Sequence, residues 1–275
     1  MSPAPIWHWK RRRASPRYLE AALKIAHYYR DHVQENGSWE LIRSVKTGEV
    51  ISHNYCVPNQ IMAFFNELYG RTGDPVWHEL ELGCYNYLIE NCLKPYNWEG
   101  QFEDSAVSTH YSNLTHFGAD AMIGYIAHNL ADDPAAMAEA EDLMRFVEDQ
   151  FVVWGKISPR NRHMHPKQGD DMSQWFSPAG LEQYHWYMPI DSSTAWIMDT
   201  FVQLYKVTKR PLLLAKAQVL GDMITRMQNP RTGMIPTHWM RRSCIEDGGN
   251  LWINCLFMTA DMMFNLAEIT ENENA

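Results

Sequence analysis

What this 275-residue sequence lacks narrows its reading first. No apolar run approaches the roughly 20 residues that cross a bilayer, so no transmembrane helix and no membrane partner are expected. The basic run Lys10-Arg11-Arg12-Arg13 is not followed by an apolar segment, so it reads as an irregular, solvated lead-in over 1–15 and not as a secretory signal. Positive charge is short overall. With 24 Lys+Arg against 33 Asp+Glu the net charge is −9, which argues against nucleic acid as the main partner. Cysteines number five (Cys56, Cys84, Cys92, Cys244 and Cys255), an odd count with no C-x-x-C or zinc-like spacing. A reducing compartment or buried free thiols fit this, which with no signal visible favours the cytoplasm slightly. His163-x-His165 is the densest histidine pair and has no third ligand at a telling spacing, so no metal and no cofactor are expected. Outside the loops no alternating strand pattern is found.

What is present is a helical repeat. Segments starting at Pro16, Pro75, Pro134 and Pro211 each continue with apolar residues at helical spacing, and proline suits a first turn whose N–H groups are unpaired anyway. The first three prolines are 59 residues apart, a fixed period that marks a repeated supersecondary unit. A second helix set is predicted at about 57–71, 113–130, 191–208 and 250–270. The junction Leu68-Tyr69-Gly70-Arg71-Thr72-Gly73-Asp74-Pro75 repeats as Leu204-Tyr205-Lys206-Val207-Thr208-Lys209-Arg210-Pro211. Each unit is thus a helix, a short turn, a helix and a long loop. The fold class is all-α: tandem helical hairpins forming an (α/α) toroid as one domain over 1–275. The first helix set is cleanly amphipathic and reads as an outer ring; the second, richer in polar residues and aromatics, reads as the inner one.

The long loops, at 35–56, 94–112, 155–190 and 229–249, all lead into the N-terminal ends of inner helices. They therefore gather at one end of the ring, where a rigid scaffold displays functional residues. The most unusual stretch is Trp98-Glu99-Gly100-Gln101-Phe102-Glu103-Asp104, followed by His110-Tyr111 and Asn113. No helical or strand period places a glycine among three acids in this way. Asn54 lies in the first loop. The third contributes Arg160, Arg162, Trp175, Glu182, Tyr184, His185, Trp186 and Asp191, and the fourth His238, Trp239 and Arg241.

Hairpin architecture, together with Trp98–Asp104, Leu181-Glu182-Gln183-Tyr184 with Pro189-Ile190-Asp191, and Gly233-Met234-Ile235-Pro236-Thr237-His238-Trp239, resembles the six-hairpin glycosidase-like superfamily of (α/α)6 carbohydrate-active enzymes. The resemblance implies a sugar-binding funnel at the inner-helix N-termini, with loop carboxylates carrying out the chemistry and an oligo- or polysaccharide as partner. The sequence departs from that pattern in showing eight helices where a full toroid has twelve. This suggests an incomplete barrel, part of a longer chain, with an exposed apolar flank.

Glycoside hydrolysis needs a proton donor and a second carboxylate. Glu103 or Asp104 is read as the donor, since desolvation beside Trp98 and Phe102 would raise its pKa; Asp191 or Glu99 is read as the base. Asp191 also starts a helix, where an aspartate is a common cap. Trp98, Trp175, Tyr184, Trp186 and Trp239 are read as platforms for sugar rings. Arg160, Arg162 and Arg241 suit the anionic groups of a uronate-containing glycan. Asn54, Asn113, Glu182, His185 and His238 complete the expected binding set. His110 and Tyr111, with Asn54, Asn113 and His185, also suit a polysaccharide lyase, which needs a carboxylate neutraliser and a base. A glycan- or protein-binding helical-repeat module with no chemistry is the third reading.

Overall fold

The computed structural model describes residues 16–99, 114–155, 176–182, 189–239 and 251–273, without the side chains of His53 and Asn54. Among these, four outer helices begin at the four prolines: α1 (Pro16–His32), α3 (Pro75–Leu88), α5 (Pro134–Phe151) and α7 (Pro211–Met227). Four inner helices alternate with them: α2 (Asn59–Thr72), α4 (Phe117–Asn129), α6 (Asp191–Thr208) and α8 (Ile253–Glu273). Two short antiparallel pairs sit in the loops, β1 (Glu40–Arg43) with β2 (Val50–Tyr55) and β3 (Val152–Val153) with β4 (Ala179–Gly180).

Local chemistry accounts for the boundaries. Asp74 accepts the N–H of Val76, and Asp133 accepts those of Ala135 and Ala136, each just before a first-turn proline. Gly73 and Lys209, equivalent in the repeated junction, both close their helix in the left-handed conformation, at φ 67° and 53°. Gly37 has no substitute for a different reason: at φ +81° a Cβ would lie 2.5 Å from the Gly83 carbonyl oxygen.

The inner helices pack in succession, α2 on α4, α4 on α6 and α6 on α8, while α3, α5 and α7 back α2, α4 and α6. α4 is buried nearly all round and α6 has twelve buried residues, which makes these two the axis of the core. Trp77, Phe65, Phe151, Phe201, Leu88 and Leu143 fill the space between rings. Each such side chain contributes roughly 1.5–3 kcal/mol by its removal from water.

Among the described residues the two ends of the array are not packed together. α8 packs on α6 and α7 and makes no comparable contact with α1 or α2 among the described residues. On α8, Ile253, Phe257 and Phe264 are exposed at 66%, 59% and 38%, in one stripe. On α1, Tyr18, Ile25 and Tyr28 form another, at 59%, 54% and 48%. Both stripes are apolar surface left exposed among the described residues. No described helix is long and apolar enough to cross a membrane.

Candidate functional site

All four inner helices receive their long connections at their N-termini, so the loop-bearing end is a real feature of the fold. Two buried polar clusters lie there.

The first surrounds the start of α6. Ile190 forms a bridge with His238, Leu181 with Pro189, and the Asp191 N–H donates to the Thr237 carbonyl at 2.9 Å. The Trp252 N–H donates to Thr237 Oγ1 at 2.8 Å, tying in the approach to α8. Gly180 lies so close to α6 that a Cβ would meet the Thr194 backbone at 2.9 Å. The third and fourth loops are thereby stitched together around Asp191. This residue is fully buried; Thr259 of α8 donates its hydroxyl to Oδ2 at 3.2 Å, and Oδ1 has no hydrogen-bond partner among the described residues. Ile190, not Asp191, is the capping residue, and no side chain caps this helix, so the capping explanation for Asp191 does not hold. Burial pushes its carboxyl up to about 7; the Ser192 N–H and the Thr259 hydroxyl pull it down only in part, and the Glu182 charge pushes the same way as burial. His238 is half-buried against Trp252, and loss of solvent lowers its pKa.

The second cluster surrounds the start of α4. Glu99 is 1% exposed and its backbone bridges to Leu114, while the Thr115 N–H donates to the Trp98 carbonyl at 3.0 Å. Just beyond, His116 Nδ1 lies 2.5 Å from Asp120 Oδ2, and both side chains are fully buried. Neither His116 Nε2 nor Asp120 Oδ1 has a hydrogen-bond partner among the described residues. Phe151 joins the two clusters: its ring meets His116 with centroids 5.5 Å apart, and its carbonyl accepts the Leu181 N–H at 2.8 Å.

Below them the inner helices line a cavity of about 300 Å³. Among the described residues no group of three or more His, Cys, Asp or Glu side chains is arranged to hold a metal ion.

The structure therefore brings Asp191, Glu182 and His238 near one another, and sets Glu99 beside Leu114 at the entry to α4. Two expectations need correction. Trp98 and Trp239 are fully buried, Trp98 against Tyr96 and Phe146, and Trp239 with its indole N–H on the Pro236 carbonyl at 3.0 Å. Neither presents a ring face to a sugar; both are core residues that anchor their loops. Glu103, Asp104, His110, Tyr111, Asn113, Arg160, Arg162, Trp175, Tyr184, His185, Trp186 and Arg241, and the side chain of Asn54, lie outside the described residues. The His116–Asp120 pair was not among the expected site residues. Its i,i+4 spacing at the start of an inner helix is the signal that marks it.

No protein-family model and no curated protein matches this sequence. Solved structures do match. An inactive variant of the alpha-1,6-mannanase GH76A of Salegentibacter sp. HEL1_6, in complex with alpha-1,6-mannotriose, superposes with a TM-score of 0.60 at 13% identity, over 92% of this chain and 65% of the mannanase. A family 105 glycoside hydrolase of C. acetobutylicum ATCC 824 gives 0.58 at 10% identity, over 96% of this chain and 68% of the hydrolase. The cellobiose 2-epimerase of Bacillus thermoamylovorans B4167 gives 0.57 at 10% identity, over 90% and 66%. The chain thus spans about 65% of the length of the mannanase. At such identities the likeness concerns the fold alone, an array of helical hairpins of the (α/α) toroid type.

Proposed function

We propose that this toroid processes carbohydrate, as a glycoside hydrolase working by carboxylate acid/base chemistry at the loop-bearing end. The observation that supports this best is Asp191: fully buried, seated where two loops and two inner helices meet, and pushed up to about 7 by that burial. A carboxyl in this condition still holds its proton in a large share of molecules near neutral pH and can deliver it to a leaving oxygen. From its place in the sequence Asp191 reads as the base; its environment fits the donor better. The second carboxylate then comes from Glu99 or Glu182, both at the same end, or from Glu103 or Asp104. The structural neighbours named above include a mannanase, a family 105 hydrolase and an epimerase, which supports sugar chemistry without choosing the sugar. Arg160, Arg162 and Arg241, which belong to the third and fourth loops in the sequence, would hold the anionic groups of a uronate-containing glycan.

One observation favours a second reading. His238 is held towards its neutral form within a strand bridge of Ile190, and a neutral imidazole is suited to removing a proton beside a carbonyl or carboxylate. That would make the enzyme a lyase. A panel of neutral and uronate polysaccharides, assayed for new reducing ends and for the ultraviolet absorbance of an unsaturated uronate, separates the two. Reducing ends without absorbance, lost in Asp191→Asn, are expected. Full turnover by Asp191→Asn would refute the assignment of the donor.

A further inference from the structure

The uncovered stripe on α1 matches the packing face of other outer helices. In α3 the buried residues are Trp77, Glu81, Cys84, Tyr87 and Leu88, which follow Pro75 by two, six, nine, twelve and thirteen places. In α7 they include Leu213, Ala217, Leu220, Met223 and Ile224, at the same intervals from Pro211. On α3 this face meets the inner helix of its own hairpin: Trp77 stacks on Phe65 of α2 with ring centroids 6.0 Å apart, and Glu81 accepts from Asn66 of α2 at 2.6 Å. α7 packs likewise on α6. The equivalent places after Pro16 hold Tyr18, Ala22, Ile25, Tyr28 and Tyr29, and Tyr18, Ile25 and Tyr28 are the exposed stripe. α1 therefore carries, in water, the face that an inner helix covers elsewhere in the repeat.

α8 has the converse need. α2, α4 and α6 each pack on the outer helix that follows, whereas among the described residues none follows α8. Its stripe of Ile253, Phe257 and Phe264 is continued by Glu268 and Glu271, four and seven places beyond Phe264 and both exposed. Over 253–273 the helix carries Asp261, Glu268, Glu271 and Glu273 and no lysine, arginine or histidine. On α1, Arg17 and Lys24 stand one place before Tyr18 and Ile25, along one side of the stripe. Lys24 meets Glu20 of its own helix at 3.0 Å, while Arg17 and Glu271 are in no ion pair among the described residues. The two uncovered faces are alike in their apolar centres and opposite in the charge beside them.

We propose that the α1 face of one copy of this chain receives the α8 face of a second copy, with the two helices antiparallel, so that copies join head to tail. The second copy then supplies the outer helix that follows α8, in the direction that inner and outer helices take within each hairpin. This direction sets Arg17 and Lys24 beside Glu268 and Glu271, while Tyr18, Ile25 and Tyr28 meet Ile253, Phe257 and Phe264. Aromatic side chains at the centre and charges at the edge are the composition of a specific interface. The two faces do not meet within one molecule among the described residues, yet every copy presents both. One such contact leaves an α1 face and an α8 face free at the far ends, so the assembly either closes on itself or grows. The inference is independent of the chemistry assigned to the loop-bearing end.

Sedimentation velocity and light scattering on the whole chain, from about 1 to 100 μM, read the association. The mass should rise with concentration from one copy toward two and higher multiples. Ile25→Glu and Phe257→Glu each alter an exposed side chain, and circular dichroism checks that both variants fold. Each alone should remain a single copy, because one half of every contact is spoiled. Mixed in equal amounts they should form a one-to-one pair through the two intact faces. A single copy at every concentration of the unaltered chain would overturn the proposal. So would association of either variant by itself, as pairing of like faces or general stickiness would give, or a mixture that stays single. If either variant fails to fold, the charges carry the test. Arg17→Glu should then weaken association about tenfold, and Arg17→Glu/Glu271→Lys should restore it; unchanged association in Arg17→Glu would overturn the antiparallel pairing.

Discussion

Replacing Asp191 by asparagine isolates the cost of keeping a carboxylate in a place built for its neutral form. The side chain is fully buried, and its pKa moves from the ordinary 3.8 to about 7 on folding. A raised carboxyl binds more protons folded than unfolded between those values, so its contribution to stability is complete below pH 4 and is lost as pH rises through about 7. At about 1.4 kcal/mol for each pH unit between the two values, the full loss is on the order of 4 kcal/mol. Asparagine keeps the shape and can still accept from Thr259, yet never ionises. Near pH 4 the two proteins should therefore be about equally stable. At pH 8 the variant should be more stable by up to about 4 kcal/mol, a gap in melting temperature of roughly 8 °C for a chain of this size. Thermal melts of both proteins from pH 4 to pH 8, followed by circular dichroism, measure the difference; other acids titrate alike in both and cancel. Parallel curves across this range would show that Asp191 ionises normally, and the argument for a buried donor would go with it. Turnover supplies a second readout: the wild-type rate should fall as pH rises through about 7, and Asp191→Asn should lose about 10²–10⁴ of it.

Glu103→Gln and Asp104→Asn should each be tried on the same substrate; loss of orders of magnitude in one of them would name the second carboxylate, and wild-type rates in both would remove that loop from the chemistry. Trp98→Ala should cost about 3–5 kcal/mol of stability, read by denaturant unfolding, whereas Trp98→Phe should leave KM unchanged because the ring faces core and not sugar. His116→Phe strands the Asp120 carboxylate in a buried site and should destabilise by about 3–5 kcal/mol; the double variant His116→Phe/Asp120→Leu should recover part of that loss.

The sequence announced the scaffold more clearly than the site. First-turn prolines mark where helices begin for a local reason that tertiary structure does not override, and the helices at Pro16, Pro75, Pro134 and Pro211 start there. Asp191 stood out as an acid that ends the third loop and starts an inner helix. Its role could not be read, since capping and catalysis use the same residue at the same place until the hydrogen bonds are seen. Trp98 and Trp239 show the opposite limit. An aromatic beside acids and a glycine has one composition whether its ring meets a ligand or the inside of the loop, and only burial decides. His116 and Asp120 were visible as inner-helix polar residues, but the i,i+4 spacing becomes an interaction only when that face of α4 is known to be closed to water.

Among the described residues the first and last helices of the array do not pack on each other, and this has a consequence for how the chain opens. Each helix is held chiefly by its neighbours, as in a one-dimensional array, and the terminal members have neighbours on one side only. Protection of backbone amides against exchange with solvent should then be graded along the arc, not uniform. It should be greatest in α4 and α6 and fall off toward α8, with three buried residues, and α1, with Ala26 alone. Any helix laid along either exposed stripe would turn an end of the array into its interior. It would slow exchange there first, and it would raise the melting temperature in proportion to the logarithm of its own concentration.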